Sequence, residues 1–273
     1  MAGWLSATLA MTIAGRELGH DIPVFVLMLF RSLIATAILG PIVLLKGDIG
    51  ARLLQLRLHI VRNVIHYGAQ YAWFSALLLI PLAEVISIEF TTPMWVAMLA
   101  ALFLGERLTA PKISAIVLGF AGILLIVRPG IATAGAGHIL ALAAALGFGS
   151  AITLTKFITR RDSALTVIFL MFAIQSVIGA VPALLSWKWP HAEAWIWVAV
   201  VGLAGTFSHF CLSKALTLGD ASLVMPMDFL RVPLTALLGY WLYQEGLDVY
   251  SILGAGLILA ANTVNLVTAR ARI

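Results

Sequence analysis

LLLIPLAEVISIEFTTPMWVAMLAALFLGERL, residues 77–108, has a partner later in the chain: LTLGDASLVMPMDFLRVPLTALLGYWLYQEGL, residues 216–247. A shift of 139 residues places Glu89 on Asp228, Phe90 on Phe229, Glu106 on Glu245 and Leu108 on Leu247, with Pro93 and Pro233 one position apart. A polar-studded run precedes each copy, NVIHYGAQYAWF (63–74) and GTFSHFCLSKAL (205–216), and Gln70 falls on His209. The chain is therefore internally duplicated. The turn-forming connector RPGIATAGAG (128–137) separates a first half, 1–130, from a second, 131–273.

The medium in which both halves fold follows from composition. Hydrophobic side chains make up 62% of the 273 residues and charged ones 11%, against about 25% charged in soluble domains. Mean hydropathy is +1.05. Apolar stretches near the bilayer-spanning length of about 20 residues recur throughout. An all-α integral membrane protein follows, with spans expected near 2–16, 22–45, 60–80, 82–104, 111–128, 135–157, 164–186, 194–215, 219–243 and 247–268. The first is short of a crossing before Arg16, which predicts further residues upstream of Met1. With about five spans in each half, an odd number, the second half enters the membrane upside down relative to the first. Inverted repeats of this kind typify secondary transporters, which hold their substrate between the halves near the midplane.

The charges set orientation. With the N-terminus cytoplasmic, inside loops and ends carry Lys46, Arg52, Arg57, Arg62, Arg107, Lys112, Lys156, Arg160, Arg161, Lys214, Arg270 and Arg272, and outside connections carry Arg16, Arg128 and Lys188. This is the positive-inside pattern. It also explains the net charge of +5 without nucleic acid as a partner. SWKWPHAEAWIW (186–197) supplies an aromatic belt at one boundary. The lone Cys211 excludes an internal disulfide. No phosphate-binding GxxxxGK[ST] loop and no metal-ligand spacing occurs, so neither ATP-driven pumping nor a metal or other cofactor is expected.

FTTPMWVAMLAALFLGERLTAPKISAIVLGFAGILLIVRPG (90–130) and MDFLRVPLTALLGYWLYQEGLDVYSILGAGLILAAN (227–262) resemble the repeats of EamA-type carriers in the drug/metabolite transporter superfamily. The resemblance implies ten helices in two inverted five-helix repeats, and alternating access by a protein that is not an enzyme. It also implies a small-molecule substrate at the inner membrane, amino-acid-like or a related amphipathic solute, with export as the expected direction. Uptake of a nucleoside- or vitamin-like metabolite, as in the S-adenosylmethionine and riboflavin carriers of the same superfamily, is the alternative. An intramembrane enzyme on a lipid-linked substrate and a non-transporting membrane receptor are the readings from other classes. Partners are the lipid bilayer, the solute and, where transport is coupled, protons; the chain is expected as a monomer or homodimer.

A charge at the centre of a membrane helix costs roughly 2.5–3.5 kcal/mol on insertion scales, so mid-span charges mark sites or ion pairs. Four occur: Arg31, Glu89, Asp228 and Arg231. Asp228 and Arg231 stand three apart on one helix, where they either neutralise each other as an intrahelical pair or serve the substrate. Arg31, with no acid in its own span, is expected to find Glu89 or Asp228, or to clamp a carboxylate or phosphate of the solute. Glu89 is then either a proton-coupling group or the fixed partner of Arg31. Asn63, Tyr67 and Gln70 share a helix face, with His66 beside it. Histidines 66 and 209 are candidate proton relays. Trp95 and Asn262 are further cavity candidates. Pro93 and Pro233 are expected helix breaks, and Pro93 leaves the Glu89 carbonyl without its helical donor. Glu84 is expected to complement a helix N-terminus, and Gly254 and Gly256 to allow close helix packing.

Overall fold

The computed structural model describes residues 2–45, 56–104, 110–127, 135–159, 162–218, 230–246 and 248–270. All the regular structure among them is helical. The helices are α1 (Ala2–Asp21), α2 (Val24–Leu45), α3 (Leu56–Leu77), α4 (Leu82–Glu89), α5 (Thr92–Leu104), α6 (Ala110–Val127), α7 (Ala136–Ile158), α8 (Ala164–Leu185), α9 (Trp195–Leu218), α10 (Arg231–Tyr243) and α11 (Val249–Arg270), with a short 3-10 turn at Ala192–Ala194. Five helical stretches are long and apolar enough to cross a bilayer: Val24–Leu45, Leu82–Phe103, Ala136–Thr155, Ala164–Leu185 and Ala192–Cys211. The expected span at 82–104 is two helices in line, α4 and α5, broken at Phe90–Thr91. The first helix does not stop at Arg16 but runs on to Asp21.

Helix pairing shows the duplication. α3 packs on α7 and α1 on α9; α2 packs on α8, α6 on α11, and α4 on α10. Exchanging the halves turns the α3–α7 contact into the α9–α1 contact and maps the α2–α8 and α6–α11 pairs onto themselves; α10 is the counterpart of α5, and the counterpart of α4 lies outside the described residues. The two halves are thus wound around each other, and the interior is shared. At the α6–α11 crossing a β-carbon on Gly254 would stand 2.6 Å from the Gly122 carbonyl oxygen, so both glycines are required for that approach. Gly256 has open space around it and plays no such part, contrary to expectation.

Burial is inverted relative to a soluble bundle. Leu45, Leu102, Phe103, Val177, Leu185 and Trp241 are exposed, whereas Arg31, Ser32, Asn63, Gln70, Gln175 and Asn262 are buried. A protein surrounded by hydrocarbon places its apolar side chains outward and its polar groups between helices. Trp187, Trp189 and Trp195 cluster around Phe30, with Trp189 and Trp195 exposed. This marks one end of the bundle, called here the tryptophan end.

Both ends are tied by polar bonds. At the tryptophan end, Arg16 of α1 pairs with Glu245, which also accepts from the Leu82 amide at 2.9 Å; Tyr243 donates to Glu17 at 2.8 Å. Glu84, in the first turn of α4, does more than face a helix terminus. It binds His138 Nε2 of α7 at 3.0 Å and accepts from Ser251 of α11 at 2.9 Å. At the opposite end, His59 Nε2 lies 2.8 Å from Asp162 Oδ2. Arg62, one of the charges at the inside loops and helix ends, is a buried member of α3 whose Nε donates to Thr155 and Nη1 to Asn63.

Candidate functional site

The break between α4 and α5 arises where Pro93, having no N–H, cannot donate to the Glu89 carbonyl. Pro93 stands in the first turn of α5, and Pro233 in the first turn of α10, so both prolines start helices rather than kink them. The Glu89 carbonyl is not left open, as the sequence suggested. Thr92 Oγ1 donates to it at 2.6 Å. Asn262 Nδ2 of α11 donates to the next carbonyl, that of Phe90, at 2.8 Å. A hydroxyl in the same turn and an amide from the other half therefore satisfy the backbone of the break.

The Glu89 side chain is equally occupied. One carboxylate oxygen accepts from Arg231 Nη2 at 2.8 Å, the other from the Trp73 indole N–H at 2.8 Å. The Arg231 guanidinium also lies over the Phe90 ring, 5.1 Å from its centroid. Glu89 is thus the partner of Arg231, and the expected Glu89–Arg31 pair does not form. Asp228, the other acid proposed for either arginine, lies outside the described residues.

Arg31 is a different kind of arginine. It is 2% exposed, and among the described residues its Nε and Nη1 have no hydrogen-bond partner. Its guanidinium carbon lies over the ring of Phe172 in α8, 4.9 Å from the centroid, and its Nε abuts Gly205 of α9. Along α8, Phe172, Gln175 and Gly179 fall on one face. His209 of α9 meets the Phe172 ring edge-on at 6.0 Å; Gln175 Nε2 lies 2.9 Å from His66 Nδ1; Tyr67 packs at Gly179, where a β-carbon would stand 2.7 Å from its hydroxyl. His66 and His209 lie within Coulombic range of each other and of Arg31 and Arg62.

The structure thus sorts the sequence candidates into two groups. Glu89, Arg231 and Asn262 gather at the helix break. Arg31, His66, Tyr67 and His209 gather where α2, α3, α8 and α9 meet, and Gln70 is buried on the same face of α3 as Tyr67. Trp95 belongs to neither group: its ring packs edge-on against Phe120 of α6, and Gly149 of α7 accommodates it. Reading the sequence missed Thr92, Gln175 and Phe172. A lone glutamine in the apolar run of α8 was a visible signal for Gln175; nothing in the sequence singled out Phe172 among 13 phenylalanines.

Comparison with known proteins now fits this architecture. The EamA-like transporter family matches residues 5–128 and again 135–267. This chain belongs to that family. Among curated relatives, a riboflavin transporter from Brucella anthropi is 25% identical over 96% of this chain and 95% of its own length. An S-adenosylmethionine uptake transporter from Rickettsia prowazekii is 22% identical over 91% and 85%, and a riboflavin transporter from Rhizobium johnstonii is 29% identical over 75% and 68%. A solved crystal structure shares the fold with a TM-score of 0.68 at 20% identity, covering 98% of this chain and 96% of the other. The EamA chain described here is a multi-pass membrane transporter of small metabolites, not an enzyme.

Proposed function

We propose that this carrier binds its solute among α2, α3, α8 and α9 and moves it by alternating access, the halves 1–130 and 131–273 rocking about the site. The observation that carries this reading is a set of buried polar atoms from both halves without hydrogen-bond partners: Arg31 Nε and Nη1, Tyr67 Oη, Gln70 Oε1 and Gln175 Oε1. Leaving buried polar atoms unpaired costs about 1–3 kcal/mol each, a cost that a polar, ring-bearing solute would remove. His66, His209 and Phe172 supply an aromatic wall for it.

The helix break serves as a brace. Glu89 stays bound to Arg231 and Trp73, so Glu89 holds α4 to α10 and does not exchange protons with either face. Trp95 lies outside the solute site, and Asn262 belongs to the brace. Arg16–Glu245 and Glu84–His138 form the closure at the tryptophan end, which faces outward with both termini cytoplasmic in a bacterial inner membrane. The names of the relatives favour uptake of a vitamin- or nucleoside-like solute over the export expected from the sequence.

Proteoliposomes containing the purified chain test the proposal with labelled riboflavin, S-adenosylmethionine and amino acids. Saturable flux above protein-free vesicles, lost in Gln175→Leu or His66→Leu, is expected. Absence of flux across the whole panel overturns it. Metabolite levels inside and outside cells with and without the gene decide direction: depletion inside on deletion supports uptake, and accumulation inside supports export. Unchanged pH dependence of flux in Glu89→Gln is expected from the brace; a shifted profile makes Glu89 the coupling group.

A further inference from the structure

We infer that Arg31 is an oxyanion clamp, so that the solute carried by this site bears a carboxylate or a phosphate. The inference rests on the solute site proposed above and assigns its substrate class. Three other buried or part-buried arginines each find protein oxygen: Arg16 on Glu245, Arg62 on Thr155 and Asn63, Arg231 on Glu89. Arg31 alone among these four has none, although it is the most deeply buried, at 2% exposure.

A guanidinium cannot shed its proton to escape burial, so Arg31, with no counter-ion among the described residues, keeps its charge inside the bundle. Two features hold it ready for one. The Phe172 ring holds the guanidinium by a cation–π contact, its centroid 4.9 Å from the guanidinium carbon. Gly205 stands beside Nε: a β-carbon there would lie 2.9 Å from that nitrogen, so any larger residue would crowd the edge. Among the described residues Arg31 makes no salt bridge, and the two histidines that interact with it electrostatically, His66 and His209, bring no negative charge. An incoming carboxylate or phosphate meets a pre-aimed cation, and charge-assisted bonds of this kind are roughly twice as strong as neutral ones. Gln175 Oε1 and Tyr67 Oη remain for the rest of the solute.

The test uses matched pairs that differ only in the anion. Riboflavin 5′-phosphate against riboflavin probes phosphate, and tryptophan against tryptophanamide probes carboxylate. Binding to the detergent-solubilised full chain is followed by its intrinsic tryptophan fluorescence, and flux is measured in proteoliposomes. The wild type is expected to favour the anionic member of at least one pair by tenfold or more. Arg31→Gln is expected to abolish that preference, and Arg31→Lys to keep part of it, with both variants eluting as monodisperse protein. Equal or tighter binding of the neutral member in both pairs overturns the clamp, as does a preference that survives Arg31→Gln. Flux of neutral solutes without anion preference overturns the clamp while leaving the carrier reading intact. Tight anion binding with no flux of any solute supports the clamp and removes the carrier reading.

Discussion

Arg231 and Arg31 are both buried arginines inside the bundle, and the protein treats them in opposite ways. Arg231 is 2.8 Å from Glu89, which Trp73 also binds, and lies over the Phe90 ring; Arg31 lies over the Phe172 ring and has no acceptor for Nε or Nη1 among the described residues. A paired charge of this type specifies how two helices meet, and removing one partner strands the other. An unpaired one destabilises the resting protein and is useful only when something arrives to bind it. Structure and function are thus assigned to different arginines, one on α10 and one on α2.

The sharpest way to break this comparison is to remove an acid and a cation separately. Glu89→Ala should destabilise the protein by on the order of 3 kcal/mol, because it breaks the buried Glu89–Arg231 pair. Thermal melting in detergent measures it, and adding Arg231→Ala should restore part of the loss. A double variant no more stable than Glu89→Ala would show that the two do not form a unit. Arg31→Met should move the melting temperature the other way, raising stability by roughly 1–3 kcal/mol as an unpaired buried cation is replaced by an apolar chain. The same variant should lose flux. A fall in stability would show that Arg31 already has a structural partner.

A second pair of groups sharpens the contrast between the ends of the bundle. His59–Asp162 joins the start of α3 to the end of α7 and is 1% exposed on both sides, whereas His191–Asp21 joins the approach to α9 to the end of α1 with His191 75% exposed. The two occupy corresponding places in the two halves. Asp162→Asn should cost about 1–3 kcal/mol, the range for a buried polar group losing its bond. Asp21→Asn should cost less than about 1 kcal/mol because solvent screens the exposed pair. Equal shifts in melting temperature would remove the asymmetry. Thr92→Val, which leaves the Glu89 carbonyl with no hydroxyl donor, should fall between these two at about 1 kcal/mol.

One backbone detail shows how far the two copies have diverged. Gln244 ends α10 in the left-handed conformation at φ 55°, which favours glycine. The first half carries Gly105 at the matching position. The chain retains the turn in its second half without the residue best suited to it.

Much of this protein was legible in its residues. Hydropathy alone specifies a bundle in a membrane, because runs of about 20 apolar residues have no other stable medium. The 139-residue repeat specifies two halves, and an odd span count specifies their inversion. Mid-span charge identified Arg31, Glu89 and Arg231, because such residues are too costly to be incidental. Their partners were not legible. Glu89 lies 142 residues from Arg231 and 58 from Arg31 in sequence, and one-dimensional spacing ranks those options wrongly. Only the packing of α4 on α10, with α11 capping the break through Asn262, brings Glu89 to Arg231. The same packing places Phe172 and Gly205 against Arg31 and leaves its Nε and Nη1 without an acceptor among the described residues. Sequence determines which groups must leave lipid. Tertiary structure decides which of them meet, because hydrogen bonds and ion pairs act over a few ångströms across helices far apart in the chain.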